Sequence, residues 1–188
     1  MEQPLVSILI RTCGRPHILR MALNSILEQT YKNIEVIIVE DGNNASEEML
    51  KRDYGQLSYI YEATGQKVGR CEVGNRAMKL ATGMYMNFLD DDDAFFPEHI
   101  ERLNEIEHSS ERAVYSIAEE RQIIPNEKDY TQSVVKNKMI RYKQPFNRLL
   151  LYTMNYIPIQ SILFERTLFE ELGGLDKTLD TLEGYNGV

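Results

Sequence analysis

The 188-residue chain predicts an α/β fold, a three-layer α/β/α sandwich around a mostly parallel central sheet. Short, near-continuously apolar runs alternate with segments whose apolar residues recur every three or four positions. Three of those runs also end in dense polar clusters, the arrangement expected where parallel strands deliver side chains to one rim.

The first strand is Leu5 to Ile10, bounded by Pro4 and by Arg11-Thr12-Cys13-Gly14-Arg15-Pro16. From His17 to Gln29 the period changes: Ile18, Ala22 and Ile26 stack at i, i+4, i+8 with Leu19, Leu23 and Leu27 beside them, and Pro16 suits the first turn. Ile34 to Val39 is a second buried strand, ending at Glu40-Asp41-Gly42 and completing a right-handed βαβ unit. Glu47 to Tyr54 reads as a helix and Leu57 to Tyr61 as a strand. Gly69 to Thr82 reads as a helix with Val73, Ala77, Leu80 and Ala81 inward, closed by Gly83. Tyr85 to Leu89 is a strand that runs into Asp90-Asp91-Asp92-Asp93, and Pro97 opens a helix carrying Ile100, Leu103 and Ile106. Beyond Ser110, Ala113 to Ala118 and Ile157 to Phe164 read as strands, and Arg166 to Leu172 as a helix capped by Gly173-Gly174. Between them, Glu119 to Asn147 is polar and basic, an excursion from the sheet.

Length sets one domain, residues 1–188. At 43% hydrophobic and 27% charged residues the composition is that of a globular chain. The net charge of −8 argues against a global grip on nucleic acid. Two cysteines make no disulfide framework, no apolar run is long enough for a membrane span, and the start lacks the basic region of a signal peptide. These features predict a cytoplasmic location.

Four consecutive aspartates at a strand end repel one another unless exposed, paired with a base or bound to a cation, and oxygen-only ligands favour Mg²⁺ or Mn²⁺. The plain alternative is a solvated cluster capping the helix after Pro97, with Asp93 as cap. Arg70 and Arg76, with Lys67 before them, lie on the third helix, where a solvated face is the default and an anionic ligand at the rim raises Arg70. His17, His99 and His108 are scattered and read as surface residues. Nothing places a base beside Cys13 or Cys71, and Gly65 and Gly69 do not have phosphate-loop spacing.

Read together, several segments resemble the family-2 glycosyltransferases of the GT-A fold. They are Val6 to Thr12, Leu23 to Tyr31, Ile34 to Gly42, Gly74-Asn75-Arg76-Ala77, Ala81 to Tyr85, Phe88 to Asp93, Ile159 to Phe164 and Leu172 to Asp176. The resemblance spans nearly the whole chain, and together these segments are specific where none is alone. It implies a nucleotide-sugar donor, inversion at the anomeric carbon, Mn²⁺ or Mg²⁺ as cofactor, and a single domain with a nucleotide-binding half over about residues 1–110 and an acceptor-side half over about 111–188. Carried over by position, Thr12 and the loop after it, with Cys13 and Arg15, line the nucleotide pocket. Asp41 accepts a hydrogen bond from the base, most often uracil, and Arg70 stands near the base. Asp90-Asp91-Asp92 matches the Asp-X-Asp motif, with Asp91 facing the ribose or sugar and Asp92 holding the metal. A carboxylate takes the proton of the acceptor hydroxyl.

The chain departs from the pattern at that last point. Leu182-Glu183-Gly184-Tyr185 keeps the first member of the family's usual Glu-Asp pair and has glycine at the second. Glu183 is therefore the candidate base, Asp180 lies nearby, and the competing reading is a catalytically impaired nucleotide-sugar-binding module. The sequence also stops just past that segment, which predicts a chain shortened at its C-terminus. Glu40 replaces a common aspartate. The basic, aromatic stretch from Lys128 to Arg148 reads either as a contact for an acceptor, a lipid phosphate or an anionic membrane face, or as a solvated insertion. A saccharide or lipid-linked acceptor, reached at the cytosolic face of a membrane, follows from the same resemblance. A phospho-acceptor signalling domain and a nucleotidyltransferase fit less well: the first needs one isolated aspartate and a later lysine, the second a glycine-rich first loop.

Overall fold

The computed structural model describes residues 3–108, 110–126 and 129–179. A six-stranded sheet runs in the order β3-β2-β1-β4-β8-β5, from β1 (Val6–Thr12), β2 (Ile34–Glu40), β3 (Tyr59–Ala63), β4 (Tyr85–Asp90), β5 (Ala113–Tyr115) and β8 (Ile162–Glu165). β1 is parallel to β2 and β4, and β2 to β3; β8 runs antiparallel to both β4 and β5.

Period-two alternation along the central strands sorts the helices into two layers. Val6, Ile8 and Ile10 of β1, with Val36, Ile38 and Leu89, pack against α1 (Pro16–Leu27), α2 (Glu47–Asp53) and α4 (His99–Leu103). Leu9, Ile37, Val39, Met86 and Phe88 point the other way, onto α3 (Arg70–Leu80), with Phe169 of α6 (Arg166–Leu172) and Leu175 against them. Both faces are covered, which explains the nearly unbroken apolar runs in the sequence.

The boundaries differ from the sequence reading at several points. The segment after Pro97 enters its helix only at His99, and Glu98 stands at the N-cap without a side-chain cap bond, so none of the four aspartates caps α4. The apolar run Ile157 to Phe164 is half turn: Ile159–Ser161 is a 3-10 turn and the strand begins at Ile162. Ala113 to Ala118 divides between two sheets, because the chain leaves β5 after Tyr115 and re-enters an extended conformation at Ala118. The polar, basic excursion is an ordered antiparallel ribbon of β6 (Ala118–Ile124) and β7 (Val134–Tyr142), followed by the single turn α5 (Arg148–Leu151). The ribbon has no buried face, so no alternation marks it in the sequence.

At the end of the sheet opposite the acidic rim, Glu35 ties three segments together. Its carboxylate accepts hydrogen bonds from Ser7 Oγ (2.6 Å), Thr82 N (2.7 Å), Thr82 Oγ1 (3.0 Å) and Gly83 N (3.0 Å). Gly83 is required by the close approach: a Cβ there would lie 2.6 Å from Ser7 Oγ and 2.8 Å from the Leu5 carbonyl. Burial works against the Glu35 charge, but the Ser7, Thr82 and Gly83 donors outweigh it and hold the carboxyl below its ordinary range. Its folded pKa is lower than its unfolded one. The stabilisation is therefore complete above the unfolded value of about 4.3 and is lost as pH falls through the folded value. Glu35→Gln is expected to cost ~1–2 kcal/mol in urea unfolding at neutral pH. The gap from the unsubstituted chain should shrink below about pH 4; a gap that stays constant with pH would remove Glu35 from this role.

Candidate functional site

The parallel strands end side by side. In register, Thr12 stands beside Glu40, and Arg11 beside Asp90. All three polar clusters singled out in the sequence therefore share one rim.

The aspartate run is largely answered by two arginines, one at the end of β1 and one at the N-cap of α1. Arg11 Nε and Nη2 donate to the two carboxylate oxygens of Asp90 at 2.8 and 2.9 Å. The guanidinium is buried and sits 5.3 Å from the centre of the Phe88 ring. Asp91 is buried at 1% exposure and accepts from Thr12 Oγ1 at 2.7 Å and from Arg15 Nε at 3.2 Å, while Arg15 Nη2 bonds its other oxygen. Burial raises the Asp91 pKa, against the pull of Thr12 and Arg15. Arg15 also reaches Asp92 at 3.6 Å; burial opposes its charge, but Asp91 and Asp92 more than offset this and raise its pKa. Asp92 itself is 50% exposed. Asp93, half-buried with its N–H bonded to the Asp90 carbonyl, is pushed up to about 7 by burial and by repulsion from Asp92, Asp90 and Asp91. Burial is the larger cause of that rise, and the neighbouring carboxylates add to it.

Asp92 and Asp93 line a cleft of about 460 Å³ between the 92–97 loop, α1 and β6. Its walls include Phe96, Arg121, His99 and Gln160. The Arg121 guanidinium lies 5.3 Å from the Phe96 ring centre.

The second cluster is built around Glu40. Its fully buried carboxylate accepts from Gly14 N (3.0 Å), Ser46 N (3.0 Å) and Tyr61 OH (2.5 Å). One side chain thus fixes the loop after β1, the loop after β2 and the adjacent strand β3; burial and the bond to Glu40 together raise the Tyr61 pKa. Asp41 turns to the start of α3, where its two oxygens accept from Val68 N (2.7 Å) and Gly69 N (3.3 Å). A carboxylate is well placed at a helix N-terminus. Its own N–H bonds the Thr12 carbonyl at 2.8 Å, joining this corner to the arginine-aspartate cluster. Arg70, the first residue of α3, is exposed at the same corner, and Cys13 is half-exposed in the first rim loop.

Thr12, Cys13, Arg15, Asp90, Asp91 and Asp92 therefore gather at the ends of β1 and β4, and Asp41 with Arg70 at the end of β2 and the start of α3. Glu183, Asp180 and Gly184 lie outside the described residues. Arg76 pairs with Glu62 (2.8 Å) and Glu72 (3.2 Å) and belongs to the solvated helix face. His99 is not a surface residue. It is half-buried, stacks on Phe95 and meets Asn87 Oδ1 at 3.0 Å, and burial takes its pKa down to about 4.

Two positioning residues have only faint marks in the sequence. Glu40 stood in a polar cluster without a role of its own. Asn75, in the Gly-Asn-Arg-Ala segment, donates from Nδ2 to the Leu175 carbonyl (2.9 Å) and accepts from Leu175 N (2.8 Å). Gly174 has φ +89°, and any Cβ there would collide with the Asn75 side chain. This clamp fixes the chain on α3 just before it enters residues 180–188.

Among the described residues, no three His, Cys, Asp or Glu side chains converge as a ready-made metal cage. The donor set nevertheless fits Mg²⁺ or Mn²⁺ in the form these ions take with phosphate ligands, one or two protein carboxylates completed by substrate oxygens and water.

Comparison with known proteins adds the following. Residues 7–173 match the family model described as Glycosyl transferase family 2. An uncharacterised glycosyltransferase of Rickettsia prowazekii is 30% identical over 190 residues, covering 97% of this chain and 57% of the relative. The chain thus spans little more than half the length of that relative. Among solved structures, S. aureus TarS in complex with UDP superposes with a TM-score of 0.71 at 16% identity, over 95% of this chain and 52% of that one. The mannosyltransferase PcManGT of Pyrobaculum calidifontis, in complex with GDP-Man and Mn²⁺, gives 0.63 at 18% identity, over 94% and 49%. These likenesses establish the GT-A α/β fold.

Glu40→Ala removes the acceptor of three donors and is expected to destabilise the chain by ~2–4 kcal/mol in urea unfolding, against about 1 kcal/mol for Tyr61→Phe. Equal, small losses in both variants would show that Glu40 does not organise the rim.

Proposed function

Because the chain belongs to glycosyl transferase family 2, we propose that it binds a nucleotide-diphosphate sugar, UDP-linked, at the ends of β1, β2 and β4. It transfers the sugar, with inversion, to a glycan or lipid-linked saccharide. The observation that carries this reading is the division of labour among the aspartates: Asp90 and Asp91 are matched by Arg11 and Arg15, while Asp92 stays half exposed beside the cleft.

In this reading Thr12, Cys13 and Arg15 border the diphosphate and ribose and Asp41 and Arg70 the base, while Asp91, expected to face the ribose or sugar, is instead buried against Thr12 and Arg15 and holds them in place. Asp92 would hold Mn²⁺ or Mg²⁺. When bound, the ion acts as a Lewis acid that neutralises charge developing on the leaving diphosphate. The protein's contribution is preorganisation. The Arg11–Asp90 pair and the Glu40 bonds fix the two rim loops before substrate arrives, so little reorganisation is needed at the transition state. The acceptor enters from the cleft walled by Phe96, Arg121 and Gln160, and Glu183 removes the proton of its hydroxyl. The reaction takes place in the cytoplasm or at the cytosolic face of a membrane, where the donors are made. Gly184, at the usual position of the base, favours a second reading, in which the domain binds the donor without turning it over.

Calorimetric titration with UDP and UDP-sugars separates these readings. UDP is expected to bind at least about tenfold more tightly with Mn²⁺ than without it. Release of UDP from the UDP-sugar identifies the enzyme, and binding without release the donor-binding module. Absence of nucleotide binding with and without Mn²⁺ would overturn both.

A further inference from the structure

Residues 133–154 contain five of the chain's 21 Lys and Arg and none of its 29 Asp and Glu, a stretch of charge +5 in a protein of charge −8. Lys136, Lys143 and Arg148 are exposed and form no ion pair among the described residues. Within the same stretch, four large apolar or aromatic side chains face solvent in a span of nine residues: Phe146 at 66% exposure, Leu149 at 77%, Tyr152 at 75% and Met154 at 51%.

This exposure is built, not slack. The Asn147 side chain accepts from Leu150 N and starts α5. The buried Tyr156 closes the loop, its hydroxyl accepting from Asn147 N at 2.7 Å and donating to the Asn147 carbonyl at 3.2 Å. Tyr115 OH donates to the Gln144 carbonyl at 2.9 Å, pinning the entry to the sheet. The loop is held at both ends while its apolar tip stands outside the core.

We infer that the 143–154 loop is a docking surface for an anionic lipid bilayer. Phe146, Leu149, Tyr152 and Met154 enter the interfacial region, and Lys143 and Arg148 meet acidic headgroups. Charge complementarity selects this occupant. Cations bordering exposed aliphatic and aromatic groups are the composition of interfacial membrane binders. A two-fold pairing with a second copy would instead oppose like charges. The inference stands on this surface alone and does not require the donor reading, since its test contains no nucleotide.

The test is flotation of the 188-residue chain with vesicles of mixed phosphatidylglycerol and phosphatidylcholine, against pure phosphatidylcholine. The chain should float with the anionic vesicles only and be released by salt. Lys143→Ala and Arg148→Ala should each lower partitioning about fivefold. Leu149→Ser with Tyr152→Ser should lower it at least about tenfold, with thermal melting unchanged because both side chains are exposed. Three results would overturn the inference: equal behaviour toward both vesicles, flotation indifferent to these substitutions, or a dimer in lipid-free sedimentation that Leu149→Ser with Tyr152→Ser dissolves.

Discussion

The rim depends on the pairing of Arg11 with Asp90 and of Arg15 with Asp91. Four successive carboxylates at the end of a buried strand would drive each other apart or take up protons. The neighbouring strand supplies the remedy in its own register. Arg11 lies beside Asp90 across the β1–β4 ladder and binds both of its oxygens, and Arg15 reaches across from the first turn of the loop. Bidentate geometry fixes direction as well as charge. It turns two of the four carboxylates inward as structure and leaves the acidity of Asp92 and Asp93 facing the cleft.

The same economy recurs elsewhere in the sheet. Glu40 gathers Gly14, Ser46 and Tyr61 at the carboxyl ends of the strands, and Glu35 gathers Ser7, Thr82 and Gly83 at the opposite end. Each is a carboxylate whose lone pairs are shared between loop N–H groups and a hydroxyl on a neighbouring strand. Loops that carry chemistry are normally the mobile parts of a fold. Here they are tied to the most buried strands, so a ligand at the rim meets a surface whose shape is already set.

Much of this was legible in the sequence, and the reason is periodicity. β1, β2, β4, α1 and α3 are strongly patterned because each must bury a defined face, and the polar clusters at the strand ends located the rim. A basic partner was one of the remedies the aspartate run called for, but which arginines served could not be read without the strand register. The long-range bonds were also hidden: Asn75 and Leu175 are 100 residues apart, and nothing local marks them as partners. His99 read as a surface residue because its burial comes from Phe95 and Asn87 rather than from a helical stripe. The β6–β7 ribbon escaped for the opposite reason: a strand pair exposed on both faces has no hydrophobic pattern to show.

The proposed division of the rim aspartates between structure and metal binding can be tested by measuring Mn²⁺-dependent UDP affinity and thermal melting for Asp90→Asn, Asp91→Asn and Asp92→Asn in parallel. The first two variants are expected to melt earlier, because they break the pairs with Arg11 and Arg15. Asp92→Asn should melt as the unsubstituted chain does and lose the metal dependence of UDP binding. An Asp92→Asn chain that keeps its metal dependence, or an Asp90→Asn chain that melts normally and loses it, would contradict the division.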